Sequence, residues 1–432
     1  MNGSARATAL EVVRRVTEDH AYSNLLLPTL LERSGLSLRD RALATELAYG
    51  TLRRLIPLDH ALGRFLERPL DKAEPVSRAA LRLGSYQLLF TRVPAHAAVG
   101  ETVGLVPERQ RGFVNAVLRK VSGSDRIVAE GEDHRAISLR TGLSEWAVAE
   151  LGRLVGAEVE AAAAALASQE SLTIRSNPCV EPLESMERAL GDRGIAFEQG
   201  SVNESSLLLR GASPSELPGF SDGWFAVQDQ ASSYVVSVLD PQPGELVLDA
   251  CASPGGKASD IACRSGSVVA ADLTHRRATL LRGSLQRLRA DARILVQDAT
   301  TPALRSGFDR VLVDAPCSGI GAARRRPELL WRPDKRELSR LARLQVSIAL
   351  GAASLLRPGG VLVYSVCTFP RGETDAVCEA LLAKAPYLEP FSFSGPEGKS
   401  VSRARLWPHT HGTDAMFVAR FRRTDESAQL GD

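Results

Sequence analysis

No apolar run in this chain approaches the roughly 20 residues that a membrane-crossing helix needs. The N-terminus, MNGSARATALEVV, lacks the basic, apolar and small-residue pattern of a secretory leader. Six cysteines in 432 residues, with no Cys-x-x-Cys and no regular spacing, argue against a disulfide framework. Neither sign of charge predominates, with 53 Lys and Arg against 51 Asp and Glu. Aromatic residues are scarce at 5%. These absences exclude membrane, secreted and disulfide-scaffold classes, and leave a cytoplasmic protein in a reducing compartment as the expectation. The length fits two or three domains, and 44% apolar with 24% charged residues is ordinary globular composition.

The charge is uneven. Residues 1–120 carry 18 Lys and Arg against 12 Asp and Glu, leaving 35 against 39 beyond them. A second basic block runs from Arg324 through Arg325, Arg326, Arg332, Lys335, Arg336 and Arg340 to Arg343. Basic patches on a near-neutral chain point to a polyanion, and the second block favours nucleic acid. For the N-terminal excess alone, a solvated surface is an equal reading.

Residues 1–120 read as all-helical. Leu10, Val13 and Val16 recur at helical spacing from Ala7, and Pro28, Pro57, Pro69, Pro75 and Pro94 punctuate further helices. Arg78 to Phe90 is amphipathic, with Leu81, Leu83, Tyr86, Leu89 and Phe90 near one face. Residues 121–225 are looser. Ser122, Gly123, Ser124 and Gly131 suit a linker. Glu145–Leu166 is Ala-rich and expected to be helical, followed by a strand at Leu172–Ser176, a helix at Leu183–Asp192 and a strand at Ser206–Arg210. From Phe225 onward short apolar strands alternate with helices: Glu245–Ala250, Val268–Ala271, Ile294–Val296, Arg310–Val313 and Val361–Ser365. That alternation reads as a doubly wound parallel sheet. The clearest helix spans Arg336–Leu356, and Arg357-Pro358-Gly359-Gly360 is expected to stop it.

The first strand of this region leads into Ala250-Cys251-Ala252-Ser253-Pro254-Gly255-Gly256-Lys257, a glycine-rich turn and helix start. It is neither Gly-x-Gly-x-x-Gly nor a Gly-x-x-x-x-Gly-Lys-Ser/Thr phosphate loop. The next strand ends in Asp272, 23 residues after Asp249, where a carboxylate can hold both hydroxyls of a ribose. The third ends in Gln297-Asp298, suited to an adenine amino group, and the fourth in Asp314. A single such Asp is more often a helix cap, but four successive strands ending this way describe an adenosine-bearing ligand. Without a phosphate loop, S-adenosylmethionine fits better than NAD or ATP. The expected contacts are Cys251, Ala252, Ser253, Pro254, Gly255, Gly256, Lys257, Asp272, Arg276, Asp298 and Asp314.

Two cysteines sit at strand ends of the same region, Cys317 in Asp314-Ala315-Pro316-Cys317 and Cys367 in Ser365-Val366-Cys367-Thr368. Carbon 5 of a pyrimidine is a poor nucleophile. A thiolate added to carbon 6 makes it electron-rich, and a second group then helps undo the adduct. Two thiols beside a methyl donor would serve both needs. A free thiol with pKa about 8.5 is only a few per cent thiolate at neutral pH, so it needs a neighbouring cation, for which Lys257 is the candidate. Cys179, Cys251, Cys263 and Cys378 read as small buried apolar residues. A zinc site from Cys317, Cys367, His409 and His411 lacks a compact ligand element, and no metal is expected.

The run from Phe225 to Arg423 resembles the RsmB/Sun family of RNA cytosine-5 methyltransferases. The matching pieces are VQDQASS (227–233), LDACASPGGKA (248–258), AADL (270–273), QDAT (297–300), DAPCSGIG (314–321), RRPELLW (325–331), RPGGVLVYSVCT (357–368) and PHTHGTDAMFVARF (408–421). Upstream, VPAHAAVGETVGLV (93–106) and RGFVNAVLRK (111–120) resemble the NusB domain, a small helical RNA-binding fold, which narrows the match to the bacterial RsmB type. Departures are Ala258 for a Thr, Val366 and Thr368 for the Thr and Ser around the second cysteine, and Met416-Phe417 for an aromatic pair. The resemblance implies a Rossmann-like class I methyltransferase domain (225–424) preceded by an all-α NusB-like domain (1–125) and a small α+β connector (126–224), with a disordered tail (425–432). It implies methylation of cytosine C5 in 16S rRNA, naked or in a partly assembled small subunit, by a monomer that touches no membrane. It makes Cys367 the nucleophile and Cys317 the aid to its release. Asp314 is expected on the cytosine N3/N4 edge, with Lys257 beside the thiols. A non-catalytic assembly factor would not need both thiols and a cofactor loop. An adenine amino-methyltransferase would carry Asn/Asp-Pro-Pro-Tyr/Phe where this chain has Asp314-Ala315-Pro316-Cys317.

Overall fold

A computed structural model describes residues 4–124, 129–169, 171–211 and 213–424. The expected tail 425–432 and residues 125–128 of the expected linker lie outside the described residues. The chain divides into two compact units, residues 1–169 with 323–332, and residues 170–322 with 333–432.

The first unit is helical: Ala5–Glu18, Ser23–Arg33, Leu38–Arg53, Leu55–Gly63, Pro75–Phe90, Ala95–Gly104 and Glu108–Ser122, then His134–Thr141, Glu145–Val155 and Val159–Leu166. Side-chain caps start several of them. Ser4, Ser37 and Asp133 accept from the amides of Ala7, Asp40 and Ala136 and satisfy N–H groups that a first helical turn leaves open. Val12, Val13, Leu47, Leu58, Leu81, Leu83, Val114 and Leu118 form its core. One expectation needs correction: Pro28 lies inside the helix Ser23–Arg33 rather than at its edge. The helical stretch expected over 145–166 is two α-helices joined by a 3-10 turn at Gly156–Glu158.

The stretch 323–332 packs in this helical unit. Buried Glu328 accepts from Ser23 at both the amide (3.2 Å) and Oγ (2.6 Å). Trp331 Nε1 donates to the Leu52 carbonyl at 2.9 Å. Arg332 donates to the carbonyls of Val16 and Ala21, and Arg326 stacks over Tyr22. Arg326 and Arg332 were expected to hold nucleic acid. They instead satisfy carbonyls and an aromatic face of the fold, because an arginine fork serves those partners as well as phosphate. Arg325, Lys335, Arg336, Arg340 and Arg343 remain exposed.

The second unit opens with a small antiparallel sheet of β1 (Leu172–Ser176), β2 (Phe197–Gln199), β3 (Ser206–Leu209) and β4 (Phe225–Val227), in the order β2-β3-β1-β4. The helix Leu183–Asp192 packs its Met186 and Leu190 against it. Fully buried Arg175 on β1 reaches Gln228 Oε1 (2.8 Å) and Ser259 Oγ (2.9 Å), with Asp260 at 3.8 Å. Cys179 and Cys263 form a disulfide, Cα to Cα 5.7 Å. The expectation that both are lone buried apolar residues is therefore wrong. Cys179 is exposed and Cys263 half-buried, and their separation of 84 in sequence hides the pairing from sequence spacing.

The large sheet contains the parallel strands β5 (Leu246–Asp249), β6 (Ser267–Asp272), β7 (Arg293–Val296), β8 (Phe308–Asp314) and β9 (Leu356–Val366) in the order β7-β6-β5-β8-β9. Beyond β9 the strand Met416–Arg423 runs antiparallel, flanked by Leu388–Pro390 and paired also with Arg403–Leu406. Val311, Leu312, Val313, Leu362 and Val363 are fully buried, as expected of central strands covered on both faces. The helix Lys335–Ser354 ends earlier than expected. Residues 357–360, expected as the turn from that helix into the strand, instead bulge from the start of β9, since Phe308 pairs with Leu356 and Arg310 with Val361. Strand order reverses between β5 and β8, and in such sheets the crevice at the carboxyl ends of the strands at that reversal is where ligands bind.

Candidate active site

The four acidic residues singled out in sequence fall along this edge. Asp249 ends β5, Asp272 ends β6, Asp314 ends β8, and Asp298 lies two residues beyond β7. The turn Ala250–Gly255 joins β5 to the helix Gly256–Ser265. Gly255 has φ +114, and a Cβ there would lie 3.0 Å from Leu281, so the turn requires glycine. Ser253 donates its amide to Asp272 Oδ2 at 3.0 Å. Asp272 Oδ1 accepts from the Leu273 amide (2.8 Å) and from Arg277 Nε (2.6 Å). The cation that meets Asp272 is thus Arg277; Arg276, expected among the cofactor contacts, is exposed on the same helix. Asp298 is exposed and bonds the amide and hydroxyl of Thr300, which hold its carboxyl below the ordinary carboxylate range.

Two groups with buried side-chain atoms along this edge have no well-aligned hydrogen-bond partner among the described residues. Neither carboxylate oxygen of Asp249 has a well-aligned hydrogen-bond partner among the described residues. Its carboxyl is pushed up to about 7 by burial and then by the Asp314 charge. The side-chain oxygen and nitrogen of Gln297 are likewise buried without a partner among the described residues. Polar atoms left so are costly unless a ligand satisfies them. With a glycine turn and the Asp272 carboxylate beside them, they fit S-adenosylmethionine. Cys251 is a half-buried thiol raised far above its ordinary value by burial and the carboxylates of Asp249, Asp314 and Asp272, so it stays protonated. Buried Cys378, raised to about 12 by burial, is the apolar filler expected of it.

Strand register brings the thiols together. Asp314 on β8 pairs with Ser365 on β9, and Cys317 and Cys367 follow at the two adjacent strand ends. Their sulfurs lie 3.5 Å apart, and both residues are half-buried. The hydrogen bond from Cys317 holds the Cys367 thiol below its ordinary value, against burial and the Asp314 and Asp414 charges, with Lys257 pulling the same way. The same bond, and then burial, raise Cys317 well above its own. Of the two, Cys367 is therefore the thiol that ionises more readily, and Cys317 the one that keeps its proton.

Lys257 Nζ donates to Asp314 Oδ2 at 2.7 Å and lies 3.4 Å from Ser232 Oγ. Burial opposes its charge, but Asp314 more than offsets that, so its pKa is raised. Asp314 Oδ1 accepts from Ser365 Oγ at 2.8 Å. The loop after β9 is pinned by Gly321, whose amide donates to the Cys367 carbonyl (3.0 Å) and whose carbonyl accepts from Ala415 (3.1 Å). A Cβ on Gly321 would lie 1.9 Å from the Ala415 oxygen, so only glycine fits this approach. Arg277, Ser232, Ser365 and Gly321 carried no separate signal in the sequence, although the last three lie within or beside the quoted motifs.

Among the described residues no cluster of three His, Cys, Asp or Glu is placed to hold a metal, and no helix is long and apolar enough to cross a membrane. The NusB family profile matches residues 3–123, and that of 16S rRNA methyltransferase RsmB/F residues 236–422. A protein of Mycobacterium tuberculosis bearing the general name methyltransferase is 38% identical, over 97% of this chain and 96% of its own length. The probable ribosomal RNA small subunit methyltransferase B of Bacillus subtilis is 34% identical over 97% and 99%. The crystal structure of the protein designated PH0851 superposes with a TM-score of 0.84 at 23% identity, covering 97% of this chain and 98% of that one, a likeness of fold. The chain belongs to the RsmB/F family of 16S rRNA methyltransferases, enzymes that use S-adenosylmethionine to methylate cytosine at C5 through a cysteine adduct.

Proposed function

We propose that Cys367 is the nucleophile of this reaction, that Cys317 assists its departure, and that the Lys257–Asp314 pair orients base and thiolate. The observation that carries this reading is the 3.5 Å approach of the two sulfurs at adjacent strand ends, with opposite displacements of their pKa values. Cys367 adds through sulfur to cytosine C6 and leaves C5 electron-rich. Bound S-adenosylmethionine supplies the electrophilic methyl group. Once C5 is methylated and its proton has passed to a base, the C5–H electron pair closes the C5=C6 double bond and the C6–S pair returns to Cys367. The Cys317 S–H, already bonded to that sulfur, stabilises the thiolate as it leaves. Asp314, paired with Lys257, would accept from the cytosine N4 amino group. Cys251–Lys257, Asp272, Arg276, Asp298 and Asp314 would hold the cofactor, with Arg277 steadying Asp272.

The target base must leave its stack to reach a pocket at a sheet edge, so a loop or junction in the RNA is the substrate form. The helical domain of residues 1–125 and the exposed cations Arg325, Lys335, Arg336, Arg340 and Arg343 are the proposed backbone contacts, which makes binding salt-sensitive. The enzyme acts in the cytoplasm as a metal-independent monomer, since one chain carries both thiols and the whole cofactor edge. The test is transfer of labelled methyl to rRNA by Cys367→Ala, with calorimetry for the cofactor. Loss of transfer with retained cofactor binding is expected; full activity of the variant refutes the assignment.

A further inference from the structure

Glu373 lies in a 3-10 turn beyond β9, fully buried, and the reaction just described does not use it. Its Oε1 accepts from the Ser318 amide (2.9 Å) and from Gln345 Nε2 (2.9 Å), and its Oε2 from Ser318 Oγ (2.5 Å). Gln345 Nε2 also donates to the Pro316 carbonyl at 3.0 Å. The residues before and after Cys317 are thus both tied, directly or through Gln345, to one carboxylate. Ser318 Oγ also lies 2.8 Å from Thr368 Oγ1, next to Cys367. Burying a carboxylate is expensive, and its three donors are what make it tolerable.

We propose that Glu373 is a positioning residue that fixes the Cys317 thiol against Cys367 and so sets the rate at which the methylated base is released. The inference rests on the release role assigned above to Cys317. A small displacement of a reacting group costs far more rate than binding energy, because the approach geometry is lost while the cofactor and RNA contacts stay. The Glu373 charge also adds to the forces that keep Cys317 protonated, as a donor to the departing sulfur requires.

The position predicts a gain of signal rather than only a loss. When release slows and attack does not, the Cys367–RNA adduct builds up. Glu373→Ala is expected to lower kcat about a hundredfold, leave cofactor affinity unchanged, and produce an RNA-linked band that survives denaturing electrophoresis. Ser318→Ala, which removes one hydroxyl and leaves the backbone bond, should show the same band at a smaller loss of turnover. It serves should Glu373→Ala not fold. The probe is full-length enzyme with 16S rRNA transcript and S-adenosylmethionine, with Cys317→Ala as reference. Adduct in Cys317→Ala and in either test variant supports the inference. Adduct in Cys317→Ala alone overturns it while leaving the release role of Cys317 intact. Absence of adduct in Cys317→Ala overturns that role, and the inference with it.

Discussion

The sulfurs of Cys317 and Cys367 stand 3.5 Å apart at the ends of two neighbouring parallel strands. A disulfide needs them at about 2.05 Å, so a closure of roughly 1.5 Å suffices. Diamide, which takes up the two thiol hydrogens as the S–S bond forms, is expected to inactivate the enzyme, and dithiothreitol to restore it. Peptide mapping should find residues 317 and 367 joined. A Cys317–Cys367 pair that stays reduced while activity is lost would show the sulfurs held apart.

Lys257 is the cation nearest this chemistry. Replacing it with methionine keeps its length and removes its charge. The Cys367 thiolate loses a stabilising neighbour, so its pKa must rise and the pH profile of iodoacetamide alkylation must move to higher pH. Methyl transfer at pH 7.5 should fall by about tenfold or more. Mass spectrometry of alkylated Cys367 across pH gives the shift directly, and an unmoved profile would remove Lys257 from the activation of the thiol.

Asp249 makes stability depend on pH in an unusual direction. Its folded pKa of about 7 lies above the ordinary value of 3.8 because burial and Asp314 disfavour its charge. Between these values the unfolded chain is ionised while the folded one keeps its proton. The folded state therefore binds more protons, and stability falls as pH rises through that window, by up to about 4 kcal/mol. Asp249→Asn should remove this slope, raising the melting temperature of the cofactor-free enzyme at pH 8 and leaving it little changed at pH 4. Parallel melting curves for the two proteins at both pH values would contradict it.

The thiols, the glycine turn and the acidic strand ends were legible because each sits in a short local pattern of strand, turn and chemistry-bearing residue. β1 and the helix Leu183–Asp192 were legible to both ends, since alternation and amphipathic spacing are local too. What escaped depends on distance in the chain. Cys179 meets Cys263 across 84 residues, and Glu373 meets Ser318 across 55. Glu373 in Arg371-Gly372-Glu373 reads as a solvated turn, and nothing nearby reports that Ser318 and Gln345 will surround it. Arg276 and Arg277 are adjacent, and only the helix phase after Asp272 decides which one turns back to it. Arg332 belonged to a basic run whose composition says nothing about which members face inward.

Arg175 offers the sharpest test of packing in the connector. Arg175 is 1% exposed, and its guanidinium joins Gln228, just beyond β4, to Ser259 and Asp260 on the helix Gly256–Ser265. Truncation to alanine leaves a cavity and strips these groups of a shared donor, and breaking such a buried ionic contact costs about 3–5 kcal/mol. Asp260 keeps its bond to Arg264, which places the expected loss toward the lower figure. Lysine restores the charge but not the fork, so Arg175→Lys should recover little of it. Urea unfolding of Arg175→Ala and Arg175→Lys measures both losses. Full recovery by lysine would mean that charge alone, rather than the planar geometry of the guanidinium, holds β1 to the helix Gly256–Ser265 that begins at the cofactor turn.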